Sequence, residues 1–93
     1  MVTMCFRIEF FYSKTCPHCP PLRRMLSEVL KNIQECVEVE EIDAWSREGE
    51  PLAEKYGVQV VPTIVANGVK LVEGPVSRYQ LASAVMAAFR RGC

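Results

Sequence analysis

The sequence reads as one α/β domain over residues 1–93, of order βαβαββα, with a mixed four-stranded sheet flanked by three helices. Three observations carry that reading. A β-rich run, Phe6 to Tyr12, precedes a stretch whose apolar residues recur at helical spacing. Asn67-Gly68, between two short apolar runs, is a two-residue hairpin turn. The C-terminal segment opens on a capping pattern and keeps its apolar residues on one stripe.

Each element has a local reason. In the first strand Phe6, Ile8 and Phe10 share a face. From about Pro21 to Gln34, Leu22, Met25, Leu26, Val29, Leu30 and Ile33 form the apolar stripe of an amphipathic helix. Val37, Val39 and Ile42 suggest a second strand, and adjacent Glu40 and Glu41 suit an edge position. Pro51 to Tyr56 is a short helix with Pro in its first turn and Gly57 just past its end. Thr63 to Ala66 and Val69 to Val72 are the arms of the Asn-Gly hairpin. Ser77 and Gln80 have capping-box spacing, and Val76 with Leu81 forms a hydrophobic staple. The last helix buries Leu81, Val85 and Phe89 and ends near basic Arg90 and Arg91. Two strand–helix–strand connections imply parallel pairing, and the hairpin adds an antiparallel strand.

Composition excludes several classes of function. Eleven basic residues balance eleven acidic ones, so no cationic footprint for nucleic acid or an anionic membrane is expected. No apolar run approaches the ~18 residues of a membrane span, and the start has no signal-peptide pattern; the expected address is cytoplasmic. A chain this short buries only about 60–65% of its unfolded surface, so a staple would help it. Five cysteines are present. Cys16 and Cys19 form a Cys-Pro-His-Cys unit, while Cys5, Cys36 and Cys93 are scattered; such a pattern reads first as redox or metal chemistry.

The unit stands between the first strand and the first helix, where unpaired N–H groups and the helix dipole favour an anion. That lowers a thiol pKa below its free value of about 8.5. Thiol–disulfide exchange needs such a thiolate to attack and a second thiol to release the mixed disulfide. Cys16 suits the first role and Cys19, one turn further in, the second. His18, if cationic, stabilises the Cys16 thiolate; the plainer reading is a solvated side chain. Pro17 is tolerated in a first turn, whereas Pro20 and Pro21 should each remove a helical hydrogen bond and distort it. Haem attachment is excluded because Pro20 occupies the required histidine position. A zinc site lacks a second ligand pair, though a non-catalytic metal or iron–sulfur carrier using both cysteines across a dimer stays open.

The strand, Cys16-Pro17-His18-Cys19, the helix, Val61-Pro62-Thr63 opening the third strand and Gly74 after the fourth together resemble the thioredoxin superfamily. Glu54 to Val58, then Val61-Pro62-Thr63 and Asn67-Gly68, are particularly thioredoxin-like. Length and the lack of an extra N-terminal strand and helix look like glutaredoxin and the small archaeal-type thioredoxins. The resemblance implies a monomeric thiol–disulfide oxidoreductase acting on protein disulfides, with no cofactor beyond a redox-active Cys16–Cys19 disulfide. A reductase or glutathione would supply electrons, the latter case making the chain a glutaredoxin. It also implies a cis Val61–Pro62 bond, with Val61 pairing to an extended substrate as an added strand. Pro17, Val61, Pro62, Gly74 and Pro75 would form an apolar docking surface beside Thr63.

Departures from the family pattern are equally specific. The buried Asp six residues before the first active cysteine is Phe10 here, and the lysine often paired with it falls near Val39. Glu9 is no evident substitute. No tryptophan precedes the dithiol. The glutathione-holding lysine of glutaredoxins, three residues before the cysteine, corresponds only loosely to Lys14, and Gly74-Pro75-Val76-Ser77 lacks their second glycine and acid. Trp45 could line the site rim, but packing is the favoured reading. Cys5 and Cys36 fall at matching positions of two parallel strands, where a disulfide would be expected to add about 3–4 kcal/mol. Cys93 reads as a free terminal thiol.

Overall fold

The computed structural model describes residues 6–33 and 36–91. Its elements are β1 (Phe6–Tyr12), α1 (Cys19–Lys31), β2 (Val37–Asp43), α2 (Glu50–Lys55), β3 (Thr63–Ala66), β4 (Val69–Glu73) and α3 (Arg78–Arg91). Cys5, and with it the suggested Cys5–Cys36 pairing, lies outside the described residues, as does the terminal Cys93.

The strands form one sheet in the order β2-β1-β3-β4. β1 pairs in parallel with β2, from Phe6 beside Val37 to Tyr12 beside Asp43. The expected second parallel connection is corrected: β3 runs antiparallel to β1, with Phe11 beside Thr63. Packing accounts for this: residues 44–62 fold back over the sheet, with Ala44, Ala53 and Val58 covering Phe11, Ile42 and Val65. The chain re-enters the sheet at the end where β2 left it. That end is also where β1 runs into the Cys-Pro-His-Cys turn.

Side-chain alternation divides the core. Ile8, Phe10, Ile64, Ala66 and Val72 pack with Cys19, Leu22 and Leu26 of α1 and with Leu81 and Val85 of α3. Phe11, Ile42, Ala44 and Val65 pack on the other face with Ala53 of α2 and with Val58. β1, buried on both faces from Ile8 to Phe11, is the central strand that this double covering requires. Phe6 and Phe89 stack with ring centroids 4.2 Å apart, closing the first face near the C-terminal end of α3.

The hairpin and the last cap follow their sequence signals. Asn67 and Gly68 both have positive φ, 49° and 85°, as a primed two-residue turn demands. Leu71 is the extra residue of a bulge, because Ile64 pairs with Val72 while Val65 pairs with Lys70. The Ser77 N–H donates to Gln80 Oε1 at 2.9 Å, and the Gln80 N–H donates to Ser77 Oγ at 3.1 Å. Replacing Ser77 with Ala is expected to cost about 1 kcal/mol. For a domain of this size that lowers the thermal midpoint by about 4–8 °C, readable by circular dichroism.

Candidate active site

The Cys-Pro-His-Cys turn joins the end of β1 to α1, whose N-cap is His18. The Cys16 N–H donates to the Ser13 carbonyl at 3.3 Å, closing a turn that holds Cys16 half-buried. Cys19, the first helical residue, is only 4% exposed and belongs to the core packed beneath α1. The two are joined as a disulfide with Cα atoms 5.5 Å apart. Pro17, His18 and Lys14 are all exposed around it.

The expected distortion of the first helical turn is corrected. Because His18 is the cap, Pro20 and Pro21 occupy the second and third helical positions, whose N–H groups would lack intrahelical partners in any case. The first helical bond, from the Leu22 N–H to the His18 carbonyl, is intact at 3.2 Å. The same placement has a chemical consequence. Of the first three helical residues only Cys19 retains an N–H to offer an anion, so direct amide stabilisation of a thiolate is thinner than at an ordinary helix start.

A cleft of about 190 Å³ opens beside the dithiol, walled by Tyr12, Lys14, Cys16, Cys19, Pro20 and Arg23, with Phe10 and Ser13 also lining it. Sequence reasoning missed Tyr12 and Arg23. The signal for Arg23 was available, since it stands four residues after Cys19 on the same helix face. Arg23 reaches across the cleft edge to Glu41 on β2 at 2.7 Å, an exposed pair worth little in stability. Glu41 is the β2 residue beside Phe10, and Val39 lies beside Ile8. Phe10, 1% exposed, fills the space that a buried acid would otherwise occupy. Glu9 is buried too, but strand alternation puts it on the face opposite Phe10 and Cys19.

At the same end of the sheet the Val61–Pro62 bond is cis. Pro62 and Thr63 are buried, and Thr63 Oγ1 donates to the Val60 carbonyl at 2.7 Å. The Gly74 N–H donates to the Pro62 carbonyl at 2.7 Å. Gly74 itself has φ 83°, a conformation that favours glycine. The structure thus brings Val61, Pro62, Thr63 and Gly74 together, with Pro75 exposed beside them. Cys16, Val61 and Val76 all pack at the margin of one core cluster. Trp45 corrects its expected packing: it is exposed, on the loop after β2.

Away from the site, the hydrogen bond from Arg7 to Glu40, with the Glu40 charge behind it, raises the Arg7 pKa above its ordinary value. Among the described residues no group of three or more His, Cys, Asp or Glu side chains is placed to hold a metal ion. No helix among them is long and apolar enough to cross a membrane.

Residues 6–86 match the family model described as a thioredoxin domain. Thioredoxin from Methanocaldococcus jannaschii is 45% identical over 62 residues, covering 67% of this chain and 71% of that protein. A probable thioredoxin from Methanothermobacter thermautotrophicus is 35% identical over 82 residues, covering 88% of this chain and 94% of the relative. A solved mutant thioredoxin from Halobacterium salinarum superposes with a TM-score of 0.68 at 27% identity, over 88% of this chain and 73% of that one. With these relatives, a disulfide-forming pair at the β1–α1 turn makes the protein a thiol–disulfide oxidoreductase. The chain belongs to the thioredoxin family, and its Cys16–Cys19 pair is the redox-active disulfide.

Proposed function

We propose that the protein exchanges its Cys16–Cys19 pair with disulfides of protein substrates. The observation that carries this reading is the contrast within one disulfide: Cys16 is half-buried at the turn, while Cys19 is enclosed by the core. In the reduced form the Cys16 thiolate attacks a substrate disulfide, forming a Cys16–substrate bond and releasing the other substrate sulfur as a thiolate that takes up a proton. Cys19, deprotonated, then attacks Cys16; the Cys16–Cys19 bond forms and the second substrate thiolate leaves. The substrate is reduced by two electrons and the protein is oxidised by two. Run backwards, the same steps oxidise a substrate.

A protonated His18 would stabilise the Cys16 thiolate, which counts for more because Pro20 and Pro21 remove helix-start donors. Pro17 shapes the turn. Val61 offers its backbone to an extended substrate segment, and Pro62, Thr63, Gly74 and Pro75 hold that surface in place. The protein acts as a cytoplasmic monomer, and a dedicated reductase returns its electrons. Glutathione is the second reading of the donor, favoured by Lys14 on the cleft wall.

Oxidised protein offered separately to a thioredoxin reductase with its nicotinamide donor and to glutathione distinguishes the two. Faster reduction by the reductase, followed by thiol titration, is the expected result. Reduction by glutathione alone would reassign the chain to glutaredoxin-like chemistry.

A further inference from the structure

Trp45 is the only tryptophan in the chain, and 53% of it is exposed. Its loop is tightly tied. The Ala44 N–H donates to the Tyr12 carbonyl at 2.8 Å, and the Trp45 N–H donates to Asp43 Oδ1 at 3.1 Å. Ser46 Oγ donates to the Asp43 carbonyl at 2.8 Å and accepts from the Gly49 N–H at 2.9 Å. A Cβ at Gly49 would run into the Asp43 carbonyl, so this close return of the loop requires glycine. A large amphipathic ring is therefore left uncovered on a fixed support, which is how rigid aromatic anchors gain energy at interfaces.

Strand order says on which side of the dithiol turn the anchor stands. β1 lies between β2 and β3, so the dithiol turn leaves the middle strand. Ala44-Trp45 leaves β2 on one flank, and Val61-Pro62 enters β3 on the other. Val60, just before that entry, is exposed as well. Two strand spacings separate the flanks by about 10 Å, and one spacing of about 5 Å, one to two residues of extended chain, separates the dithiol strand from the Trp45 flank. A substrate segment seated along Val61 with its cysteine over Cys16 continues toward Trp45.

We propose that Trp45 is a second anchor for protein substrates, covering an apolar or aromatic side chain one or two residues from the reacting cysteine. The proposal rests on the protein-disulfide reading above. It makes Trp45 a specificity-determining residue for polypeptides that small disulfides do not need.

The test uses full-length Cys19→Ser protein and peptides whose cysteine carries thionitrobenzoate. The Cys16 thiolate attacks the peptide sulfur, the Cys16–peptide disulfide forms, and thionitrobenzoate leaves with the bonding electron pair. Tryptophan emission of the adduct is compared for a peptide with Leu two residues from its cysteine, one with Ser there, and the 2-mercaptoethanol adduct. A blue shift confined to the Leu peptide is expected. In protein with the dithiol intact, Trp45→Ala is expected to lower the ratio of kcat/KM for insulin to that for a small aromatic disulfide by about five- to thirty-fold, with Trp45→Phe restoring most of it. Identical emission from all three adducts, or an unchanged ratio, overturns the proposal. Failure to release thionitrobenzoate would instead overturn the dithiol mechanism on which it rests.

Discussion

Replacing Cys16 with Ser is expected to reduce dithiothreitol-driven precipitation of insulin to the rate of dithiothreitol alone. A serine hydroxyl is not ionised near neutral pH and cannot form a mixed disulfide, so the first step is lost outright. The substitution exchanges one small side chain for another at a half-buried turn, so folding should survive. Thermal denaturation of the same sample checks that the loss is chemical. Full insulin activity in this variant would remove Cys16 from the mechanism.

Phe10→Ala should have the largest effect on stability. Phe10 is 1% exposed and packs in the cluster that holds Cys19, Leu22 and Leu26 beneath the dithiol. Truncating a buried phenylalanine costs about 3–5 kcal/mol, against a total of about 5–15 kcal/mol for a whole domain. The expected result is a large fall in the urea midpoint with little change in slope. Phe10 also bears on chemistry, because it occupies the position where other thioredoxins carry a buried acid. This chain has packing at that position in place of a charge. A Phe10→Ala protein with unchanged midpoint would mean that this cluster contributes far less than its burial implies.

The parts of the fold that were legible in the sequence are those that local chemistry decides. Asn67-Gly68 needs two positive φ values, which few other dipeptides supply. Ser77 and Gln80 satisfy each other's backbone without help from the rest of the molecule. The dithiol was legible for the same reason, since two cysteines three residues apart at a strand-to-helix turn have few alternative uses. What escaped depended on distance or on an offset of a few residues. The direction of β3 followed from the way Ala53 and Val58 pack back on the sheet, and the harmlessness of Pro20 and Pro21 from a helix starting at Cys19. Glu41 beside Phe10 is a register, which periodicity alone does not state. Trp45 was expected to pack because large aromatic residues usually do; the hydrogen bonds of its loop hold it outside instead.

The central claim is that Cys16 attacks and Cys19 resolves. It is tested most directly by peptide mapping of Cys19→Ser protein after reaction with an oxidised protein substrate. Blocking resolution leaves the first bond in place, so a stable adduct attached through Cys16 is expected, and dithiothreitol should release it. An adduct through Cys5, Cys36 or Cys93, or none at all with Cys16 intact and accessible to alkylation, would contradict the mechanism.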